Sequence, residues 1–229
     1  ILESIPVMKP LERCNMDITI QTVLNQNITI VYDSLDLQTI DISGLKAIMG
    51  DQVKPMVMDT PEMIVAVYPL GPTFVQVGDK RIRITTPQPT KDLGGVALWE
   101  IAVKCANLIP ASKSTLISYG FNYEVGVGLA GDSAPRVSIN RFAANPQSVE
   151  HALGGRLLSF IPRFRFQRDQ HHYDLVIEPT DEQHIRVYMN SHFEFAGITL
   201  PSQDQLQSSF YEEYGFLVSM LPGLLKGDE

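Results

Sequence analysis

The stretch from Ile117 to Leu129 alternates two kinds of residue without interruption. Its odd positions carry Ile, Tyr, Phe, Val and Leu, whereas its even positions carry Ser, Gly, Asn and Glu. Because successive side chains of a strand point to opposite faces of the sheet, this pattern is typical of a long antiparallel strand with one buried face. The chain must therefore build a sheet that buries one side of this segment.

Other runs of β-branched, aromatic or alternating residues predict further strands. The predicted strands are 16–20 and 28–32, joined as a hairpin through Asn25–Asn27; 64–68; 74–77 and 81–85; a short return at Val137 and Ile139; and a meander of 163–166, 173–177 and 185–189. Gly78-Asp79 suits a type II′ turn, which would place Val75 opposite Ile82.

Three longer segments have the apolar spacing of helices. They are about 93–108, a segment opened by Asn145-Pro146 with Val149, Leu153 and Leu157 as its stripe, and a last helix opened by a Ser202/Gln205 capping box and stopped by Pro222. Residues 34–62 predict irregular structure with one short helix near 45–49. This order predicts an α+β fold: a largely antiparallel sheet with a C-terminal three-strand meander and about three helices packed on one face.

A chain of 229 residues is long enough for one domain or two. We expect a single assembly over 1–229, because the helix at 93–108 needs a large apolar surface to cover. The alternative is two lobes, 1–90 and 91–229, joined near Pro87–Thr90.

Composition excludes several classes of protein. The chain is 44% hydrophobic and 19% charged and has only two cysteines, Cys14 and Cys105, which excludes collagen-like, disulfide-stapled and wholly disordered chains. A net charge of −8 disfavours nucleic acid as a partner, and no apolar run is long enough to span a membrane. Unpaired cysteines suit a reducing compartment, so we expect a cytoplasmic protein, with the reservation that a chain starting at Ile1 can have lost a leader.

No familiar catalytic or nucleotide-binding motif indicates a site in this sequence. Gly126 to Gly131 has the letters GxGxxG, but its first two glycines lie inside the alternating strand and a further strand is expected after it, so we do not expect a phosphate cradle. There is no GxxxxGK[ST] and no GxSxG. We expect no cofactor.

The most polar group of residues lies on the meander. If Tyr173 faces the core, His172 and Asp174 share the opposite face, and a hairpin turning at 180–183 sets Asn190 beside His172, with His192 one step further. Such a patch could support acid–base chemistry, or bind a transition metal through His172 and His192. His171 is in phase with the core face and predicts a half-buried histidine instead.

A purely structural interpretation of the same face is open. Arg163, Arg165 and Arg186 could pair across strands with Asp174 and Glu178. The same three arginines are candidate anchors for the carboxylate or phosphate group of a ligand.

The last helix carries more aromatic surface than one packing stripe needs. Either it lies in a groove with both sides covered, or Tyr211 and Phe216 form an exposed patch that meets another subunit. We therefore expect a non-catalytic binding or assembly module whose partner is a second copy of itself or another protein. The alternative is an enzyme or metal site of hydrolase type, based on His and Asp, on the polar face of the meander. The sequence does not indicate the ligand or the reaction.

Overall fold

The computed structural model describes residues 17–50, 52–69, 72–87, 93, 95–110 and 112–226, apart from the side chains of 195–198. Among them are nine strands: β1 Asp17–Tyr32, β2 Met56–Asp59, β3 Met63–Tyr68, β4 Thr73–Gly78, β5 Arg81–Thr86, β6 Leu116–Ala130, β7 Arg163–Arg168, β8 His171–Pro179 and β9 His184–Ile198. Five α-helices accompany them: α1 Ile42–Ala47, α2 Leu98–Asn107, α3 Ala134–Phe142, α4 Pro146–Leu153 and α5 Gln203–Lys226. A 3-10 turn covers Leu37–Thr39.

All nine strands form one sheet in the order β2-β3-β4-β5-β1-β6-β9-β8-β7, and every neighbouring pair is antiparallel. The order is mirrored about the central pair β1 and β6. Strand β1 is flanked by the meander β2–β5, and β6 by the meander β7–β9. In both halves the last strand of the meander, β5 or β9, lies next to the long central strand. Helix α2 follows β5 in the chain, and helix α5 follows β9. The α+β class and the largely antiparallel sheet are confirmed, with more helices than expected.

The packed helices lie on one face of this sheet. Helix α2 contacts β1, β5 and α5; α5 contacts β6; and α3 contacts β8 and α5. On the same side the Tyr68 hydroxyl donates to the Leu45 carbonyl of α1. Helix α4 is different, because none of its residues is buried.

The core lies between the helices and the alternate residues of the strands. Phe121, Tyr123 and Phe210 are almost completely buried there, and the Phe210 ring centroid lies 5.4 Å from that of Phe121 and 5.1 Å from that of Tyr123. From Tyr119 to Leu129 the odd positions of β6 face this core, as the alternation predicts, whereas Ile117 is 45% exposed at the register shift between Leu116 and Ser118. No helix in the described ranges is both long and apolar enough to cross a membrane.

The predicted hairpin at 16–32 is wrong, because β1 runs through Asn25–Asn27 as one strand of 16 residues. Bulges between Ile20 and Thr22 and between Val23 and Asn25 take up the irregularity, and Asn25 pairs with Glu124 of β6. A partner strand of 15 residues offers ladder hydrogen bonds along this whole segment, which outweighs the local preference of asparagine for turns.

The turn between β4 and β5 is also displaced. Gly78 pairs with Arg81, so the turn residues are Asp79 and Lys80, with φ of 48° and 61°. Two successive left-handed residues are the mark of a type I′ turn, and Val75 consequently lies opposite Ile84 rather than Ile82. A shift of two residues keeps every side chain on its predicted face.

Two expectations about helices are wrong. Val137 and Ile139 belong to α3, where Pro135 lies in the first turn and Ala134, Val137 and Ser138 are buried at helical spacing. Helix α5 continues through Pro222, which lies on its exposed side, because Leu221 and Leu225 are both buried against the core. Packing of this last turn compensates for the hydrogen bond that proline removes.

The remaining elements follow the sequence more closely. The strand at 63–68, the long strand β6 and the three-strand meander are confirmed, as are helices at 42–47, 98–107 and 146–153, with shifted ends. Asn145 caps α4 by accepting from the Ser148 N–H, and Ser202 and Gln205 form the predicted capping box. The proposed connector at 87–90 and Cys14 lie largely or wholly outside the described residues.

Candidate functional site

The face of the sheet opposite the packed helices carries two rows of side chains that cross all nine strands. One row is Met58, Val65, Gln76, Arg83, Thr29, Gly120, His192, His172 and Gln167. The next row is Met56, Val67, Phe74, Thr85, Asn27, Asn122, Asn190, Asp174 and Arg165. We call this surface the open face; it is apolar at the β2–β4 end and polar and charged at the β7–β9 end.

The four residues predicted on the meander do come together. His172 lies directly opposite His192, and Asp174 lies directly opposite Asn190. All four line one depression of about 440 Å³, together with Arg165 and Gln167. The predicted register, with Asn190 beside His172, is wrong by two residues, but the parity and therefore the face are correct.

Asp174 is engaged by arginine. Arg163 binds this carboxylate in a bidentate manner: its Nε donates to Asp174 Oδ1 at 2.8 Å, and its Nη2 donates to Oδ2. The Arg165 Nε lies 3.6 Å from the same Oδ2, and the Arg165 side chain is 75% exposed. The hydrogen bond from Arg163 is the main cause that lowers the pKa of Asp174 below its ordinary value.

Arg186 is fully occupied as well. It donates from Nε and Nη2 to Glu178 Oε2 at 3.0 and 2.5 Å, and its Nη1 lies 3.4 Å from Glu124 Oε1. Two of the three predicted anion anchors, Arg163 and Arg186, are thus committed to carboxylates within the sheet. Only Arg165 keeps most of its guanidinium available.

The histidines differ in their surroundings. His172 is exposed and forms no hydrogen bond or ion pair within the described ranges, whereas His192 Nε2 lies 3.4 Å from Glu194 Oε1. His171 is half-buried, as predicted, with its ring 4.1 Å from that of Phe193. Within the part of the chain that the structure describes, no three His, Cys, Asp or Glu side chains converge as a metal site would require.

A chain of amide and hydroxyl groups crosses the centre of the open face. Tyr188 Oη and Asn190 Nδ2 donate to Asn122 Oδ1 at 2.5 and 2.6 Å. Asn122 Nδ2 then donates to Asn27 Oδ1 at 2.7 Å, which also accepts from Thr29 Oγ1 at 3.2 Å. This amide ladder fixes three strands relative to one another, and sequence reasoning missed it because Asn27 and Asn122 are 95 residues apart.

A buried carboxyl group lies under the meander on the helix side. Glu213 of α5 accepts from Ser191 Oγ at 2.8 Å and from Tyr173 Oη at 3.2 Å, and His171 Nδ1 lies 3.5 Å from it. Burial, followed by the charge of Glu213, raises the pKa of Tyr173 to about 12. Tyr173 and Ser191 are cross-strand neighbours, so this contact ties α5 to the two strands that carry the depression.

The apolar end of the open face is the second feature that the sequence did not reveal. Met56 and Met58 of the edge strand β2 are 77% and 58% exposed. Met56 lies opposite Val67 and Met58 opposite Val65, and Val67 in turn lies opposite Phe74. We call these five side chains the methionine patch; its three β3 and β4 members are only half-buried.

Tyr211 and Phe216 lie on different sides of α5 and do not form one patch. The Tyr211 ring lies 5.4 Å from that of Trp99, and its side chain is 40% exposed. Phe216 packs 5.3 Å from the Tyr173 ring and under the guanidinium of Arg168 at 4.3 Å. Their role in an interface remains a prediction.

The glycine-rich segment offers no cradle for phosphate. Gly126 and Gly128 are paired on both sides, with β1 and β9, and the side chains of Thr22 and Gln21 lie over them. The strand expected after Gly131 is wrong, because α3 begins at Ala134. Cys105 is a buried core residue whose thiol pKa is raised by burial, as its apolar spacing predicts.

No family model matches this chain, and no curated protein is significantly similar to it.

Proposed function

We propose that this protein is a non-catalytic binding and assembly module that associates with a second copy of itself through the methionine patch of the open face. The observation that carries the proposal is the exposure of Met56 and Met58 beside three half-buried apolar side chains on adjacent strands. Large contiguous apolar patches on a soluble protein are characteristic of interaction sites.

The shape of the surface favours a second sheet as the partner. The patch spans three neighbouring strands and is roughly 10 Å wide, so it leaves the β7–β9 end of the open face uncovered. Two flat sheets pack face to face at about 10 Å, and the same patch on both copies satisfies a twofold interface.

The borders of the patch fit the same model. Gln76 and Thr85 follow the patch along its two rows, and the amide ladder comes after them. An apolar centre with a polar border is the usual anatomy of a protein interface. Methionine also adapts its shape to a facing surface better than a branched side chain does.

Two other exposed apolar groups are weaker candidates. Leu153 and Leu158 are 69% and 77% exposed, but Leu153 ends α4 and Leu158 lies beyond it, so no ladder places them side by side. Tyr211 is exposed on α5, but its ring already packs against Trp99. The methionine patch differs from both, because its side chains are paired across neighbouring strands and therefore form one continuous surface.

The test is sedimentation velocity over a range of protein concentration. We expect the unmodified chain to reach twice the 25.5 kDa mass of one chain, and Met56→Glu/Met58→Glu to weaken association at least tenfold, because each dimer would bury four unpaired carboxylates. Both side chains are exposed in the single chain, so the variant should fold normally.

A matched control separates this patch from general surface charge. Leu153→Glu/Leu158→Glu adds the same two charges at equally exposed positions and should leave the mass unchanged. A monomeric unmodified chain would refute self-association. Loss of the dimer in Tyr211→Glu/Phe216→Glu alone would assign the interface to α5 instead.

A second candidate function, a metal or hydrolytic site, is favoured by one observation: His172, Asp174, Asn190 and His192 line a single depression. The engagement of Asp174 by Arg163 counts against it, since that carboxylate must leave its arginine to act as base or ligand. Zn²⁺ binding by the unmodified chain that is lost in His172→Ala would support it, and equal binding by both proteins would exclude it.

A further inference from the structure

The β7–β9 end of the open face carries three arginines and three carboxylates, but they are unevenly distributed: Glu178 pairs with Arg186, and Glu194 lies beside His192. Arg163 and Arg165 share one carboxylate, Asp174, and Arg163 takes both of its oxygens in hydrogen bonds. The Arg165 Nε lies 3.6 Å away, outside hydrogen-bond distance. Arg165 therefore shares the charge of Asp174 with Arg163 and keeps a side chain that is 75% exposed.

Two histidines from the neighbouring strands lie beside this guanidinium, and the Nε2 of His192 already faces Glu194. His172 is the diagonal neighbour of Arg165 on β8, and His192 lies directly opposite His172 on β9. A neutral imidazole has one N–H to donate, and His172 has no partner for either nitrogen in the described ranges. Gln167, opposite His172, closes the row.

These groups line an open, shallow depression. Arg165, Gln167, His172 and His192 all line the depression of about 440 Å³, a volume within the range of small-molecule sites. Two other lining side chains already have partners within the sheet. The Asp174 carboxylate accepts from Arg163, and the Asn190 amide donates to Asn122. The depression therefore offers a ligand the Arg165 guanidinium and the His172 imidazole, beside an Asp174 carboxylate that Arg163 neutralises.

The geometry points to an oxyanion site: the depression binds a small molecule through its carboxylate or phosphate group, with Arg165 as the principal contact and His172 as the flanking donor. An arginine fork matches two oxygens of such a group, and charged partners make these hydrogen bonds about twice as strong as neutral ones. This site lies at the opposite end of the open face from the methionine patch, so it does not depend on self-association.

The test uses the five histidine rings as NMR probes. The full chain is titrated with citrate and, separately, with pyrophosphate at pH 7 and about 0.15 M constant ionic strength, where long-range charge effects are screened. The ring signals of His172 and His192 should move and saturate. His184, eight residues along β9 and thus about 26 Å away, should not move, and neither should His151 on α4. Saturation with citrate alone identifies a carboxylate ligand, and with pyrophosphate alone a phosphate ligand.

Two variants complete the design. Arg165→Ala should weaken binding about tenfold or more, since it removes the principal charged contact. Arg186→Ala removes the same charge elsewhere on the face and should change affinity less than about twofold. The two side chains are 75% and 45% exposed and lie on the open face, so both variants should fold. Absence of saturation with either anion, movement of all five histidines together, or equal weakening by the two variants would overturn the site.

Discussion

Replacing Ser191 by alanine should destabilise the protein by an amount that the Glu213 contact determines. The Ser191 hydroxyl is completely buried and donates to Glu213 Oε2 at 2.8 Å, and Glu213 itself is 7% exposed. Alanine leaves almost no cavity, so the loss is that of one hydrogen bond to a charged group together with a carboxylate oxygen left short of a donor. We expect a loss of about 2 kcal/mol in the free energy of unfolding.

The assay is urea unfolding followed by the fluorescence of Trp99, the single tryptophan, which packs against Phe210 and Tyr211 and therefore reports on the helix layer. With a slope of about 2–3 kcal/mol per molar urea, the midpoint should fall by roughly 0.7–1 M. Ser219→Ala is the matched control: its hydroxyl donates to the Phe216 carbonyl on the exposed side of α5, and its loss should change stability by less than about 0.5 kcal/mol.

A double-mutant cycle identifies the partner. In a Glu213→Ala background, adding Ser191→Ala should cost little further stability, because the acceptor has already gone. An equal cost in both backgrounds, or a cost no larger than that of Ser219→Ala, would refute the assignment of this contact as the tie between α5 and the meander.

Two further predictions concern protonation. Burial raises the pKa of Tyr32, Tyr119 and Tyr173 to about 12. The stability that these protonated hydroxyls contribute is therefore complete below pH 10 and is lost as the pH rises toward 12. Phenolate absorbance at 295 nm should appear at higher pH in the folded chain than in urea. Coincident curves would contradict this. The lowered pKa of Asp174 adds stability above about pH 4 that is lost as pH falls through the folded value, and Arg163→Ala should raise that pKa toward its ordinary value in a carboxyl NMR titration; no shift would show that Arg163 is not its cause.

The alternation of apolar and polar residues carried most of what could be predicted. Its period of two placed His172 and Asp174 on the same face, and an error of two residues in the register did not move any side chain to the other face. Four residues that line the depression, His172, Asp174, Asn190 and His192, could therefore be predicted, whereas Gln167 and the direct neighbours of each residue could not.

Contacts between distant segments explain most of what was missed. The pairing of β1 with β6, which keeps Asn25–Asn27 in a strand and builds the amide ladder, joins segments about a hundred residues apart. The mirrored order of the two halves likewise becomes visible only when the strands are paired.

Two features of the sequence do indicate structure that the strand and helix predictions missed. Leu206, Phe210, Glu213 and Leu217 recur at helical spacing, so Glu213 falls on the buried stripe of α5 and could have been recognised as a buried carboxyl. Val137 and Ile139 fitted a strand because two residues cannot distinguish a period of two from a helical one, and Pro135 just before them was the better guide.

The mass of the protein in solution tests most directly whether the methionine patch of the open face is a self-association surface. Sedimentation velocity should find a dimer for the unmodified chain and for Leu153→Glu/Leu158→Glu, and a monomer for Met56→Glu/Met58→Glu at the same concentration. A dimer that survives the methionine substitutions, or an unmodified chain that stays at 25.5 kDa at every concentration, would contradict the account.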